Sequence, residues 1–242
     1  MSSQKTDKSS LHMTTIIIGV TTVIMAILAG FAVGVVDNQL IDYSDSIATA
    51  NNIKNSIALF KAGIFSWLMI LICDIVISWA LYIYLKPIHS RLSLLAAWFR
   101  LIYSAILGIA LLNLVHVSIL VNTDYQLFKT DTIQLESLVM LFLQSFQKMW
   151  SLGLIIFGAH LFFIGYLVLK SGFIPRIIGI LILIASFSYM ILHILHLFFP
   201  QYENTTGMLE NILSLPMALG ELSLGLWIWV RGSKRNSFFN PT

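Results

Sequence analysis

Long apolar runs separated by short polar stretches set the pattern of this chain. Six runs reach the roughly 20 residues that a transmembrane helix needs at ~1.5 Å rise per residue. They predict helices at about 14–36, 60–85, 92–121, 137–169, 174–199 and 209–230. The runs are continuously apolar rather than alternating, which argues against the ten-residue strands of a membrane barrel. The third and fourth exceed one bilayer crossing, so they are expected to tilt, kink or project, the fourth with an amphipathic start near 132–147. The expected fold is all-α: a polytopic transmembrane bundle of six helices over 14–231, with polar tails at 1–13 and 232–242.

Lys5 and Lys8 precede the first run, as in a secretory signal. That run is longer than a signal core, and no small-x-small cleavage site closes it, so it is read as a retained helix.

Composition points the same way. With 58% hydrophobic residues, 10% charged residues and a mean hydropathy of +0.88, the chain has too little polar surface to cover a soluble globule. Cys73 is the single cysteine and lies inside an apolar run, so it reads as a small packed hydrophobe. The net charge of +3 comes from residues scattered over chain ends and loops, without the basic stripe that nucleic acid requires.

Those basic residues do orient the helices. Lys5, Lys8, Lys86, Arg91, Lys170, Arg176, Arg231, Lys234 and Arg235 fall on one side, and Lys54, Lys61, Lys129 and Lys148 on the other. Both termini are therefore expected to be cytoplasmic. Tyr82 to Lys86 (YIYLK) and Tyr166 to Lys170 (YLVLK) are each followed by Pro, Arg and a new helix, a weak echo of a duplicated hairpin.

Four ionisable residues interrupt the apolar runs. Counted from the helix ends, Asp74 lies about 18 Å above Lys86, and Arg100 about 14 Å above Arg91. His160 and Glu221 each lie about 15 Å above Lys170 and Arg231 respectively. They thus share one layer. An isolated charge at the bilayer centre costs about 2.5–3.5 kcal/mol on insertion scales, which is the reason to expect them together. Asp74 and Arg100 are expected to pair, with Arg100 holding an anionic group, Glu221 handling a proton and His160 donating, accepting or ligating. The alternative is that all four merely fasten helices.

Asn113, His116, His193 and His196 cluster toward the other ends of their helices. His193 and His196 share a helix face, which is compatible with metal ligation, but a solvated helix end is the favoured reading and no metal or other cofactor is expected. No phosphate-binding loop, dinucleotide glycine pattern, Cys-x-x-Cys or HExxH occurs. Gly153, Gly158 and Gly165 suit close helix packing, and Pro216 suits a kink five residues before Glu221. Asn204-Thr205-Thr206 is a formal glycosylation sequon.

LICDIVISWALYIYLKP, LAAWFRLIYSAILGIALLNL, GLIIFGAHLFFIGYLVLKSGFIPRIIGILILIA and LPMALGELSLGLWIWVRG occur in that order, with DYSDSIATANNI between the first two helices. From about residue 15 to 231 the chain resembles the bacterial membrane family known as domain of unknown function 4386. The resemblance implies six helices in a bacterial cytoplasmic (inner) membrane. It singles out Asp74, Arg100, His160, the Ser171 to Arg176 turn and Glu221, and it implies no particular activity. His116, His193 and His196 lie outside the pattern.

The resulting expectation is a multi-pass membrane protein whose polar layer binds or moves a lipid head group or small amphiphile, with proton coupling. Membrane lipids are its expected partners, and nucleic acid is not; the oligomeric state is open. Two alternatives stand beside it: an accessory subunit in which the charges only fasten helices, and an intramembrane lipid-modifying enzyme using Glu221 or His160 as a base. Of these, the enzyme has least support, since no nucleophile motif accompanies the candidate bases.

Overall fold

The computed structural model describes residues 2–122 and 132–232. The tail beyond Gly232 and the connection carrying Asp124, Lys129 and Asp131 lie outside the described residues. Among the latter the chain is helical throughout. The helices are α1 (Ser2–Phe31), α2 (Asn38–Leu40), α3 (Ser46–Asn55), α4 (Ile57–Leu85), α5 (Ser90–Val121), α6 (Thr132–Ser171), α7 (Arg176–Phe198) and α8 (Glu203–Arg231). A π-helical stretch, Ala32–Asp37, joins α1 to α2, and a 3-10 turn, Pro200–Tyr202, precedes α8.

Among the described residues six stretches are long and apolar enough to cross a membrane: Leu11–Leu40, Ile57–Leu85, Ser90–Val121, Ile133–Ser171, Arg176–Phe198 and Thr205–Arg231. Each overlaps one of the six predicted runs. The first begins within a helix that starts at Ser2, so the polar residues ahead of the apolar run are helical too. With 40 residues, α6 is about 60 Å long at ~1.5 Å per residue, twice a hydrocarbon core. Its start is amphipathic, with Val139, Leu143 and Phe146 buried while Ile133 and Leu141 are exposed. α8 runs through Pro216 without ending.

The chain divides into two compact units: residues 1–24, 73–104 and 151–242, and residues 25–72 and 105–150. In the second unit Trp67 packs edge-on against Phe146 and Trp150, with ring centroids 5.5 and 4.8 Å apart. The polar segment before α4 is folded rather than loose. Asp42 Oδ1 accepts from the N–H and hydroxyl of Ser44, and Asp45 Oδ1 accepts from Ala48 N at 2.9 Å, capping α3. Thr49 closes this turn, donating its hydroxyl to Asp42 O and accepting from Asp42 N.

The first unit gathers parts of α1, α4, α5 and α6 with all of α7 and α8. Its α4 and α5 are held in register by a ladder of polar links about one turn apart. Ser93 Oγ donates to Tyr82 O, Ser78 Oγ donates to Ala97 O, and Arg100 meets Asp74. Lys86 to His89 make the turn, with His89 Nδ1 accepting from Leu92 N at the start of α5. The α6 to α7 connection is built differently. Ser171 Oγ donates to Val168 O and accepts from Ile174 N, and Gly172 takes φ 71°, the left-handed conformation that ends a helix at little cost in glycine. Further along, Ser186 Oγ donates to Gly158 O at 2.7 Å, two residues from His160.

Candidate functional site

Asp74, Arg100, His160 and Glu221 meet within the first unit, each delivered by a different helix. The α4 to α5 ladder sets Asp74 against Arg100, the α6 to α7 contact sets the height of His160, and α8 brings Glu221 from 121 residues away. Arg100 is the hub. Its Nε donates to Asp74 Oδ1 at 2.9 Å, and its Nη2 lies 2.7 Å from both Asp74 Oδ1 and Glu221 Oε1. Its Nη1 is 3.3 Å from His160 Nε2. All three guanidinium nitrogens are thus engaged, and the ring of Phe157 covers the group at 5.1 Å.

The hydrogen bonds assign His160 its proton. His160 Nδ1 lies 2.8 Å from Ala96 O, which can only accept, so Nδ1 carries the hydrogen. Nε2 faces an Arg N–H, which can only donate, so Nε2 presents its lone pair. His160 is therefore neutral here, and its lone pair is occupied by Arg100 rather than held ready for a metal or a second proton.

With His160 neutral, the cluster holds one guanidinium and two carboxylates, a formal excess of one negative charge when both are ionised. Asp74 and Arg100 are 0% and 1% exposed, His160 is 1% exposed, and the Glu221 side chain is 26% exposed. Asp74 Oδ2 is buried without a hydrogen-bond partner, an expensive state for a carboxylate oxygen away from water. Burial of net charge in an apolar surrounding costs several kcal/mol, so such a cluster favours uptake of a proton or of another cation.

A small cavity of about 10 Å³, room for about one water, adjoins the cluster. Arg100, His160 and Glu221 reach its wall; the remainder is mostly aliphatic, including Ile18, Leu81 and Leu224. Thr22 and Gly225 line it where α1 meets α8. A Cβ on Gly225 would fall 2.7 Å from Thr22 Cβ, so only glycine allows this approach.

The other candidates are placed separately. His116 is stacked on Phe142, with centroids 5.0 Å apart, and Asn113 Nδ2 donates to Ala110 O and Met149 Sδ. His193 Nδ1 lies 3.3 Å from Ser151 Oγ and its ring stacks on Tyr189, while Nε2 is buried without a hydrogen-bond partner. His196 interacts electrostatically with His193. Among the described residues no three His, Cys, Asp or Glu side chains stand together as a metal site. Cys73 is buried beside Asp74 in sequence, as its apolar run implied.

Three neighbours of the cluster were not singled out from the sequence. Phe157 and Ala96 could have been, since they precede His160 and Arg100 by three and four residues on their own helices. Tyr189, within electrostatic range of Glu221, Arg100 and Asp74, could not, because only the packing of α7 brings it there.

These features define a class: a polytopic helical membrane protein with a charged cluster buried among its spans. More particularly, the chain belongs to the family described as Domain of unknown function (DUF4386), whose model matches residues 17–232. It is also similar to an uncharacterised protein of Archaeoglobus fulgidus, 33% identical over 172 residues that make up 71% of this chain and 83% of that protein. No solved structure matches the chain.

Proposed function

We propose that the Arg100 cluster is a proton-linked binding site for a small amphiphile, and that the protein binds or moves such a molecule in the cytoplasmic membrane of a bacterium. The observation that carries this reading is the unequal placement of two carboxylates on one guanidinium. Asp74 is sealed, whereas Glu221 is part-exposed and reaches a cavity. Asp74 holds Arg100 in place; Glu221 exchanges its partner, taking up a proton when no ligand is present. The aliphatic wall suits an alkyl chain beside the polar group. The excess of basic residues on one set of connections supports cytoplasmic termini.

Native mass spectrometry of gently purified protein tests this, with wild type beside Glu221→Gln. A reproducible adduct of amphiphile mass in the wild type, lost in the variant, is the expected result. Absence of any adduct in both, with the variant only less stable, would overturn it.

One observation favours a second reading. The cavity holds about one water, and three of the four charged or polar residues are sealed, as in a cluster that only fastens α4, α5, α6 and α8. The same experiment separates the two.

A further inference from the structure

Resting on the binding site proposed above, we infer that its ligand carries a positive charge: an amine or quaternary ammonium group attached to an apolar chain. The expectation from sequence was the reverse, an anionic group held by Arg100. The geometry argues against that, because each guanidinium nitrogen already faces Asp74, Glu221 or His160. An anion would have to displace a carboxylate from Arg100 and would add to an existing negative excess.

A cation instead cancels that excess, part of which sits on Asp74 Oδ2, buried without a hydrogen-bond partner. The wall also discriminates among cations. Calcium needs about six to eight oxygen ligands, whereas the side-chain oxygens of the lining are those of Glu221 and Thr22, beside Arg100, His160 and aliphatic side chains. The Thr22 hydroxyl already donates to Ile18 O at 2.8 Å. A weakly hydrated organic ammonium, with its carbon substituents against Ile18, Leu81 and Leu224, meets both demands. Since the cavity holds about one water, admission requires α1 and α8 to part where Thr22 touches Gly225.

The charge balance links the ligand to a proton. Glu221 faces Arg100 from α5, Asp74 from α4, His160 from α6 and Tyr189 from α7, while α1 presents only Ile18 and Thr22. Among the described residues around the cluster the one cation is Arg100, which Glu221 shares with Asp74, so the second negative charge is neutralised either by a proton on Glu221 or by the bound ammonium. Binding therefore releases one proton to solvent.

The test uses the full chain in maltoside micelles with three probes: octyltrimethylammonium, dioctanoyl phosphatidylethanolamine and dioctanoyl phosphatidylglycerol. Titration calorimetry reads affinity, and a pH dye in weak buffer reads proton release. The expected result is at least tenfold tighter binding of octyltrimethylammonium than of phosphatidylglycerol, a similar loss in Glu221→Gln, and about one proton released per cation bound. Equal binding of phosphatidylethanolamine also supports the inference and names a membrane lipid as the source; weak binding names a soluble amphiphile. Preference for phosphatidylglycerol overturns the inference and leaves the amphiphile site standing. No binding of any probe overturns both. The proton count needs only wild-type protein, so a misfolded variant does not rescue the inference from a result of zero.

Discussion

Glu221 Oε1 lies 2.7 Å from Arg100 Nη2, the same distance that separates Asp74 Oδ1 from that nitrogen, yet the two carboxylates have different surroundings. Distance alone therefore does not rank them; burial does. Removing Asp74 leaves Arg100 sealed with a single carboxylate partner that is itself part-exposed, and breaking a buried pair costs about 3–5 kcal/mol. Removing Glu221 leaves the sealed pair intact, with a loss on the order of 1.5–3 kcal/mol from one charge-assisted hydrogen bond. Asp74→Asn should therefore melt well below Glu221→Gln in a thermal unfolding assay in detergent. Equal melting temperatures would contradict the ranking.

The approach of α1 to α8 depends on Gly225. Any β-carbon there presses on Thr22, and overpacking of this kind costs about 1–3 kcal/mol. Gly225→Ala should lower the melting temperature, and adding Thr22→Gly should restore part of the loss despite the helix penalty of a second glycine, about 1 kcal/mol. Two additive losses in a double-mutant comparison would show that the contact does not limit packing.

The helices were legible because a bilayer requires long runs of apolar residues, and the depth of each charge followed from rise per residue. Depth placed Asp74, Arg100, His160 and Glu221 in one layer, but it carries no rotation. The Ser93 to Tyr82 and Ser78 to Ala97 links fix the rotation that aims Arg100 at Asp74. The sharing of Arg100 by two carboxylates and the neutral state of His160 depend on which nitrogen faces which atom. Neither follows from spacing. The helix over Ser46–Asn55 escaped notice for another reason: it is short and polar, and its one signal was a capping residue, Asp45.

That capped turn carries a pH dependence of its own. Two hydrogen bonds from Ser44, one from the hydroxyl and one from the backbone, hold the Asp42 carboxyl below the ordinary carboxylate value. A carboxylate lowered on folding favours the folded turn above its unfolded pKa, and the contribution disappears as pH falls through the lowered value. Carboxyl carbon NMR should show Asp42 titrating below an ordinary aspartate in wild type and returning toward it in Ser44→Ala. An unshifted titration in wild type would remove the turn from any account of acid sensitivity.

Replacing the whole charged set separates holding helices together from holding a ligand. A buried ion pair exchanged for apolar residues of similar volume is often neutral or stabilising by 1–4 kcal/mol, because the desolvation cost goes with it. The triple variant Asp74→Leu, Arg100→Met, Glu221→Gln removes every formal charge of the cluster and leaves His160 bonded to Ala96. It should melt at or above the wild-type temperature while losing any copurified amphiphile. A triple variant that folds, melts normally and supports whatever the wild type supports in the cell would assign the cluster to helix fastening. One that folds, melts normally and loses the adduct would show that these charges are kept for what they bind, since stability does not require them.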